Sequence, residues 1–402
     1  MFKDFYHLKR ENNPHREDAF TLSCLGKIYP ASSSDFVKFR RYLSSLIDEA
    51  QSLKDDHILI IGLTESGIIP ALLMYIESIA QNINTSILYS TRRPSAGIPF
   101  KESHSHGPNH ILPLLPFNQT GSLENKVFKE DFKFKEIWIV EDEITSGNTV
   151  YNLMAQLSQY LKVSRMRVFA FADFRDTQQK SDFNVKTALN NIECTIHTLN
   201  LIDNFVMDTP NINLPSIETK KNNSNGISFN NNIAFNSNLK KLNAPDRCTF
   251  QNWYFPEKRP ALSIKSGNFI DDNLWQILSN NFSNEWIDSK QTSIKTILAV
   301  GEAVDLAAYL ALANDNIRFQ QISLSPWKVD NRSIFSKITI ANKYYLYNYE
   351  NLKAHSSEPI FILCDPIDKK IEQESIKQLG ECGIDVKPIF QSRWTIESIA
   401  IS

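Results

Sequence analysis

The chain has 402 residues, 42% of them hydrophobic, and a formal charge of −2. That length exceeds one ordinary core and predicts two domains. The near-balanced charge, without a basic tract, argues against a dedicated nucleic-acid or membrane surface.

No run of about 18 uncharged apolar residues occurs, so no membrane-spanning helix is expected. The start, MFKDFYHLKRENNPHRED, lacks the apolar stretch of a secretory leader. Cys24, Cys194, Cys248, Cys364 and Cys382 are scattered without a CxxC pair. They predict reduced thiols in a cytoplasmic protein, not a zinc site or a disulfide frame.

The first strong strand is Ile58-Leu59-Ile60-Ile61, ending at Gly62-Leu63-Thr64-Glu65-Ser66-Gly67. IIPALLMYIESIAQN follows with apolar residues at helical spacing. TSILYS is a short strand that stops at Thr91-Arg92-Arg93-Pro94. From Ser95 to about Lys135 the chain is expected to be irregular, with Pro, Gly and three histidines. IWIV is a strand halted by Glu141-Asp142-Glu143, TVYNLMAQLSQYL a helix, and RMRVFAFADF another strand. Alternating strands and helices predict a parallel α/β sheet.

Residues 211–245 break the pattern, with 11 asparagines among 35 residues. This polar bias predicts a linker or surface insertion. The expected organisation is therefore a domain over 1–210, the Asn-rich segment 211–245, and a second domain over 246–402. Beyond the segment the rhythm resumes. KTILAVGEAVDLAAYLALAND reads as strand, glycine turn and helix, IRFQQISLSPW as a strand ending in a Ser/Pro turn, and EPIFILCDPIDKKIEQESIKQL as strand, acidic turn and helix. Laid beside the first half, the second reads as a smaller variant of it, although two βαβ units can also resemble each other by chance.

Three adjacent carboxylates repel one another, so they need either solvent or a matching ligand. A turn from a parallel strand into a helix is where α/β proteins bind ligands. Thr145-Ser146-Gly147-Asn148-Thr149 opens the helix with free backbone N–H groups, hydroxyl donors and a glycine, which suits phosphate. The carboxylates just before it are acceptors, which suits vicinal hydroxyls. Together they fit a ribose 5-phosphate. A solvated acidic turn that caps a helix is the plainer alternative.

VEDEITSGNT resembles the phosphoribosyl-diphosphate signature of type I phosphoribosyltransferases. The resemblance implies that Glu141 and Asp142 hold the ribose hydroxyls and that Thr145, Ser146, Gly147, Asn148 and Thr149 hold the 5-phosphate. It places the diphosphate loop at Leu63, Thr64, Glu65, Ser66 and Gly67, where backbone amides are expected to line a second anion site. Arg92 and Arg93 stand where orotate-type members have basic residues that reach the diphosphate, though a solvated turn pair would look the same. Lys101, His104 and His106, in KESHSHGPNH, fall in the family's mobile loop. They are candidates for a lid, beside the alternatives of a chance cluster or a transition-metal site. The oxygen-rich ligand calls for Mg2+, with Asp142 orienting its waters.

TRRP, the HSH stretch, EDEITSGNT and the second domain together resemble the phosphoribosyltransferase of bacterial tellurite-resistance (Ter) stress operons, whose C-terminal module is called the TRSP domain. Its marker aligns with Ser323-Leu324-Ser325-Pro326, preceded by Gly301-Glu302. Here Leu324 replaces the arginine and Ser323 the threonine, which leaves any anion held by that arginine in doubt. The resemblance implies Mg2+-assisted transfer of a phosphoribosyl group from phosphoribosyl diphosphate to a nucleobase-like acceptor, with small-molecule partners only. Self-association into a homodimer stays open. A non-catalytic sensor or scaffold that binds the same ligand is the competing expectation.

Overall fold

The computed structural model describes residues 5–11, 17–49, 57–92, 98–101, 109–112, 114–115, 134–161, 163–198, 262–263, 294–354, 359–364 and 369–388. The N-terminal part runs β1 (Phe5–Lys9), β2 (Asp18–Leu22), α1 (Ser33–Glu49), β3 (Ile58–Gly62), α2 (Ile68–Ala80), β4 (Thr85–Tyr89), β5 (Ile98–Lys101), β6 (Asn109–Leu112) and β7 (Leu114–Leu115). It continues through β8 (Glu136–Ile144), α3 (Asn148–Leu161), β9 (Arg165–Asp173), α4 (Thr177–Leu189) and β10 (Glu193–Thr198). The C-terminal part holds β11 (Leu262–Ser263), β12 (Lys295–Val300), α5 (Val304–Ala313), β13 (Ile317–Ile322), β14 (Lys337–Ile340) and β15 (Tyr344–Tyr347). It ends with α6 (Glu350–Ala354), β16 (Ile360–Leu363), α7 (Lys369–Glu381) and β17 (Val386–Pro388).

Two parallel sheets organise these elements. The N-terminal sheet has the order β10-β9-β8-β3-β4 and the C-terminal sheet β13-β12-β16-β17. In each, the first strand lies inside, the second beside it on one flank, and the later strands follow on the other. The C-terminal sheet thus repeats the N-terminal order with one strand fewer. β3 and β12 are buried along their whole length, as expected for parallel strands covered on both faces.

One apolar cluster joins the sheets, running from Ile58–Ile61 and α2 through α5 to Phe319 and Leu363. Helix α5 packs on α1 and α2. Backbone bonds reinforce the seam. The Ala31 N–H donates to the Phe319 carbonyl at 2.8 Å, the Phe319 N–H returns to Ala31 at 2.9 Å, and the Gln321 N–H reaches Gly26 O at 2.8 Å.

Two expectations change. The acidic residues do not end their strand, because β8 continues through them to Ile144 and pairs with β9 as far as Asp173. Pairing to a full-length neighbour satisfies the backbone there, so charge alone does not break the ladder. Within 95–135, β5 and β6 form an antiparallel hairpin with Lys101 opposite Asn109, where an irregular stretch was expected. The Asn-rich segment 211–245 lies outside the described residues. Among the described residues, no helix is long and apolar enough to cross a membrane.

Candidate active site

Register brings the site together. Gly62 pairs with Val140 on one side and Tyr89 on the other, so β3 and β4 end level with Val140, where the acidic segment of β8 begins. The 63–67 loop, residues Ser90–Arg92 and the acidic segment of β8 therefore stand side by side. β3 and β8 flank the point where the chain reverses its direction of winding, the usual crevice for ligands in open α/β sheets.

Alternation along β8 separates the three carboxylates. Asp142 is buried at 6% exposure, while Glu141 and Glu143 are half-buried on the opposite face. Arg10, just past β1, pairs with Glu143 at 3.0 Å and neutralises the third acid of the run. Asp142 Oδ1 accepts the Glu143 N–H at 2.9 Å, which fixes its carboxyl plane. Repulsion within the trio is relieved by opposite faces and by one arginine.

The turn after β8 is Thr145-Ser146-Gly147, and α3 starts at Asn148. Gly147 has φ +77°, and a Cβ there would lie 2.9 Å from the Phe183 ring and 3.2 Å from Arg175 Cδ. Only glycine fits that conformation and space without strain. Arg175 lies over the Phe183 ring at 4.8 Å and grips Asp173 with Nε and Nη2, both at 2.9 Å. Burial works to raise the pKa of Asp173, but the hydrogen bonds and charge of Arg175 outweigh it and hold the carboxyl below its ordinary range. Lys186 of α4 reaches Asn148 Oδ1 at 3.4 Å. The helix start thus carries the hydroxyls of Thr145, Ser146 and Thr149 with two cations beside it.

The 63–67 loop is held from several sides. Its Thr64–Glu65 peptide is cis. A Cβ on Gly67 would lie 2.6 Å from the Val140 carbonyl, so this glycine lets the loop rest on β8. The Thr64 N–H donates to Ser90 Oγ at 2.9 Å, and the Gly67 N–H to the Leu63 carbonyl at 2.8 Å. These two amides serve the loop's own shape, where they were expected to line an anion site. Ser90 Oγ also bonds buried His110 Nδ1 at 3.1 Å, which ties the β5–β6 hairpin to the loop.

Arg92 does reach the loop, with Nη1 3.5 Å from Glu65 Oε1. Residues from the C-terminal sheet meet it there. Glu302, at the end of β12, accepts the Thr91 hydroxyl at 2.7 Å and the Arg92 N–H at 2.9 Å. The Leu324 N–H, past β13, points to Glu65 Oε2 at 3.4 Å. Lys101 is exposed at the end of β5, and its carbonyl accepts from Asn152 of α3 at 3.0 Å. Arg93, His104 and His106 lie outside the described residues. Among the described residues, no group of three or more His, Cys, Asp or Glu side chains could hold a metal ion.

Sequence reasoning missed Lys27, Arg10, His110 and Arg175. Lys27 had one visible signal, a lone cation in the apolar context Leu25-Gly26-Lys27-Ile28. The other three are placed by tertiary contacts that no local pattern shows.

Residues 6–204, just under half of the chain, match the family model described as phosphoribosyl transferase. That region is accordingly similar to phosphoribosyl transferases. Among solved structures, the chain is similar to the adenine phosphoribosyltransferase of Saccharomyces cerevisiae, at 12% identity and TM-score 0.32, covering 48% of this chain and 93% of that one. It is also similar to the adenine phosphoribosyltransferase of Trypanosoma brucei, at 13% identity and TM-score 0.33, covering 53% and 81%. A purine phosphoribosyltransferase from Pyrococcus horikoshii shows 19% identity and TM-score 0.23, covering 35% and 78%. No curated protein matches the chain.

Proposed function

We propose that the protein transfers a phosphoribosyl group from phosphoribosyl diphosphate to a nucleobase-like acceptor. The observation that carries this reading is the alignment of two ligand loops on neighbouring strands. The acidic end of β8 with its Thr145–Thr149 turn lies beside the 63–67 loop after β3. Glu141 and Asp142 would receive the ribose hydroxyls, the 145–149 turn the 5-phosphate, and the 63–67 loop with Arg92 the diphosphate.

In the reaction, the bond from the anomeric carbon to the diphosphate oxygen breaks, and its electron pair leaves with the diphosphate. A bond from that carbon to an acceptor nitrogen forms, and the acceptor gives up a proton. The transition state has oxocarbenium character, so the chain contributes chiefly by holding the ribose, fixing the leaving group and excluding water.

The donors present suit Mg2+. Asp142 and Glu141 are oxygen ligands, and a hard cation that keeps its waters needs only one or two carboxylates plus substrate oxygens. Mg2+ would be held by Asp142 through water and by diphosphate oxygens, and it would neutralise charge on the leaving group.

We place this activity in a stress-related pathway of the tellurite-resistance type, with residues 246–402 as a TRSP-like domain, because the TRRP, EDEITSGNT and SLSP stretches occur together in one chain. The test is mass spectrometry of a metabolite mixture incubated with the protein and phosphoribosyl diphosphate. Release of diphosphate together with one new phosphoribosylated mass supports transfer. Tight binding without release from any mixture points instead to a sensor.

A further inference from the structure

We propose that Lys27 is a ligand-binding cation of the diphosphate site, seated there by Trp327 of the C-terminal part; this rests on the reading of the 63–67 loop given above. Lys27 follows the tight turn at Gly26 and is only 2% exposed. Its Nζ donates to Ser66 Oγ at 2.5 Å and lies 5.6 Å from the centre of the Trp327 ring. No carboxylate among the described residues pairs with it.

A lysine ammonium has three donors, and one hydroxyl with one ring face leaves it far from satisfied. Burying such a group without an anionic partner is costly. The cost is understandable if the partner is a ligand. Ser66 fixes where that ligand would sit, in the middle of the 63–67 loop. Lys27 thus meets this loop at Ser66, with the Trp327 ring beside it.

Local charge points the same way. Arg92, the cation expected to face the diphosphate, already meets Glu65 through its side chain and Glu302 through its N–H. Two carboxylates beside one arginine leave little positive potential for an anion. The Thr64 and Gly67 amides are also engaged within the structure. Lys27 supplies the missing charge on the same loop. A diphosphate fits this geometry because the single phosphate of the ribose has its own place at the start of α3.

The test uses the full chain, inorganic diphosphate and ribose 5-phosphate as separate calorimetric titrants, with thermal unfolding measured beside them. Lys27→Met keeps the length of the side chain and removes the charge. Diphosphate should bind at least about tenfold more weakly, the scale of one lost charge-assisted hydrogen bond. Ribose 5-phosphate should bind as before. The unfolding temperature without ligand should hold or rise, because an unpaired buried charge is gone. A merely structural lysine would give the opposite pattern, with lower stability and both affinities reduced together.

Unchanged diphosphate affinity in Lys27→Met overturns the proposal and leaves the transferase reading intact. A wild-type protein that binds diphosphate through Lys27 but no ribose phosphate keeps the proposal and removes the transferase reading. A wild-type protein that binds no diphosphate overturns the proposal outright. Should Lys27→Met not fold, Lys27→Gln replaces it, with the same expected loss.

Discussion

The two sheets share a strand order and differ in what stands at their carboxyl ends. In the N-terminal sheet, β3 and β8 end in open turns that carry hydroxyls, carboxylates and glycines. In the C-terminal sheet, β12 runs into a short 3-10 turn whose Glu302 crosses to Thr91 and Arg92. The segment after β13 sends its Leu324 N–H toward Glu65 and its Trp327 ring toward Lys27. One winding pattern thus serves two ends: the first sheet presents the candidate site, and the second braces the segments beside it. A shared strand order therefore does not predict a shared function, because function resides in the end residues.

The comparison breaks most sharply at β8. Replacing Glu141 with Gln and Asp142 with Asn keeps size but weakens two charge-assisted bonds, each worth roughly 1.5–3 kcal/mol. Affinity for phosphoribosyl diphosphate should fall by about two to four orders of magnitude in calorimetry. Unchanged affinity would remove the ribose assignment.

At the second sheet's end, Glu302→Ala strips the acceptor from two donors in a buried setting. Stability should drop by roughly 2–4 kcal/mol, the cost of leaving both unsatisfied. Denaturant unfolding measures it, and a loss below about 0.5 kcal/mol would show that the brace is not needed.

Gly147→Ala comes next. Its positive φ alone costs a non-glycine residue about 1–2 kcal/mol, before the contact with Phe183. Gly383 also has positive φ, at +78°, but a Cβ there would meet nothing within 4 Å. Gly383→Ala should therefore lose less stability than Gly147→Ala under the same denaturant series, and equal losses would count against crowding at the Gly147 turn.

The smallest effect is expected away from both ends, at Asp330. Burial works to raise its pKa, but N–H donors from Arg332, Ser333 and Ile334, at 2.8–2.9 Å, hold it below the ordinary value. A depressed carboxylate contributes stability above the ordinary aspartate range near pH 4, and the contribution is lost as pH falls through and below it. Because the side chain is partly exposed, solvent screening trims the contribution to about 1 kcal/mol or less. Asp330→Asn should flatten that acid limb of the stability curve, with no change in ligand affinity. An acid limb as steep as the wild type's would assign the pH dependence to other groups.

Strands, helices and the parallel class were legible because buried parallel strands such as ILIIG and KTILAV are continuous apolar runs and their helices keep a helical period. The acidic residues were visible in the sequence but misplaced as geometry. Carboxylates look like strand breakers, yet β9 pairs beside them and Arg10 neutralises one. Arg10 lies 133 residues from Glu143, and Glu302 lies 210 residues from Arg92. Such long-range partners have no local signature, so the bracing of the site by the C-terminal sheet could not be read in advance. The short hairpin within 95–135 was hidden for another reason, since IPFK and NHIL are too brief to show a period.

The most direct test of one site braced by a second sheet is the stoichiometry of phosphoribosyl diphosphate binding to the full chain. At the end of β16, Pro366 has no N–H and no Thr-Ser-Gly turn follows Asp365, so a ribose phosphate should find no cradle in that sequence. Calorimetry should give one ligand per chain, and none at comparable affinity in the Glu141→Gln, Asp142→Asn double variant. Two equivalents per chain, or one that survives the double variant, would contradict it.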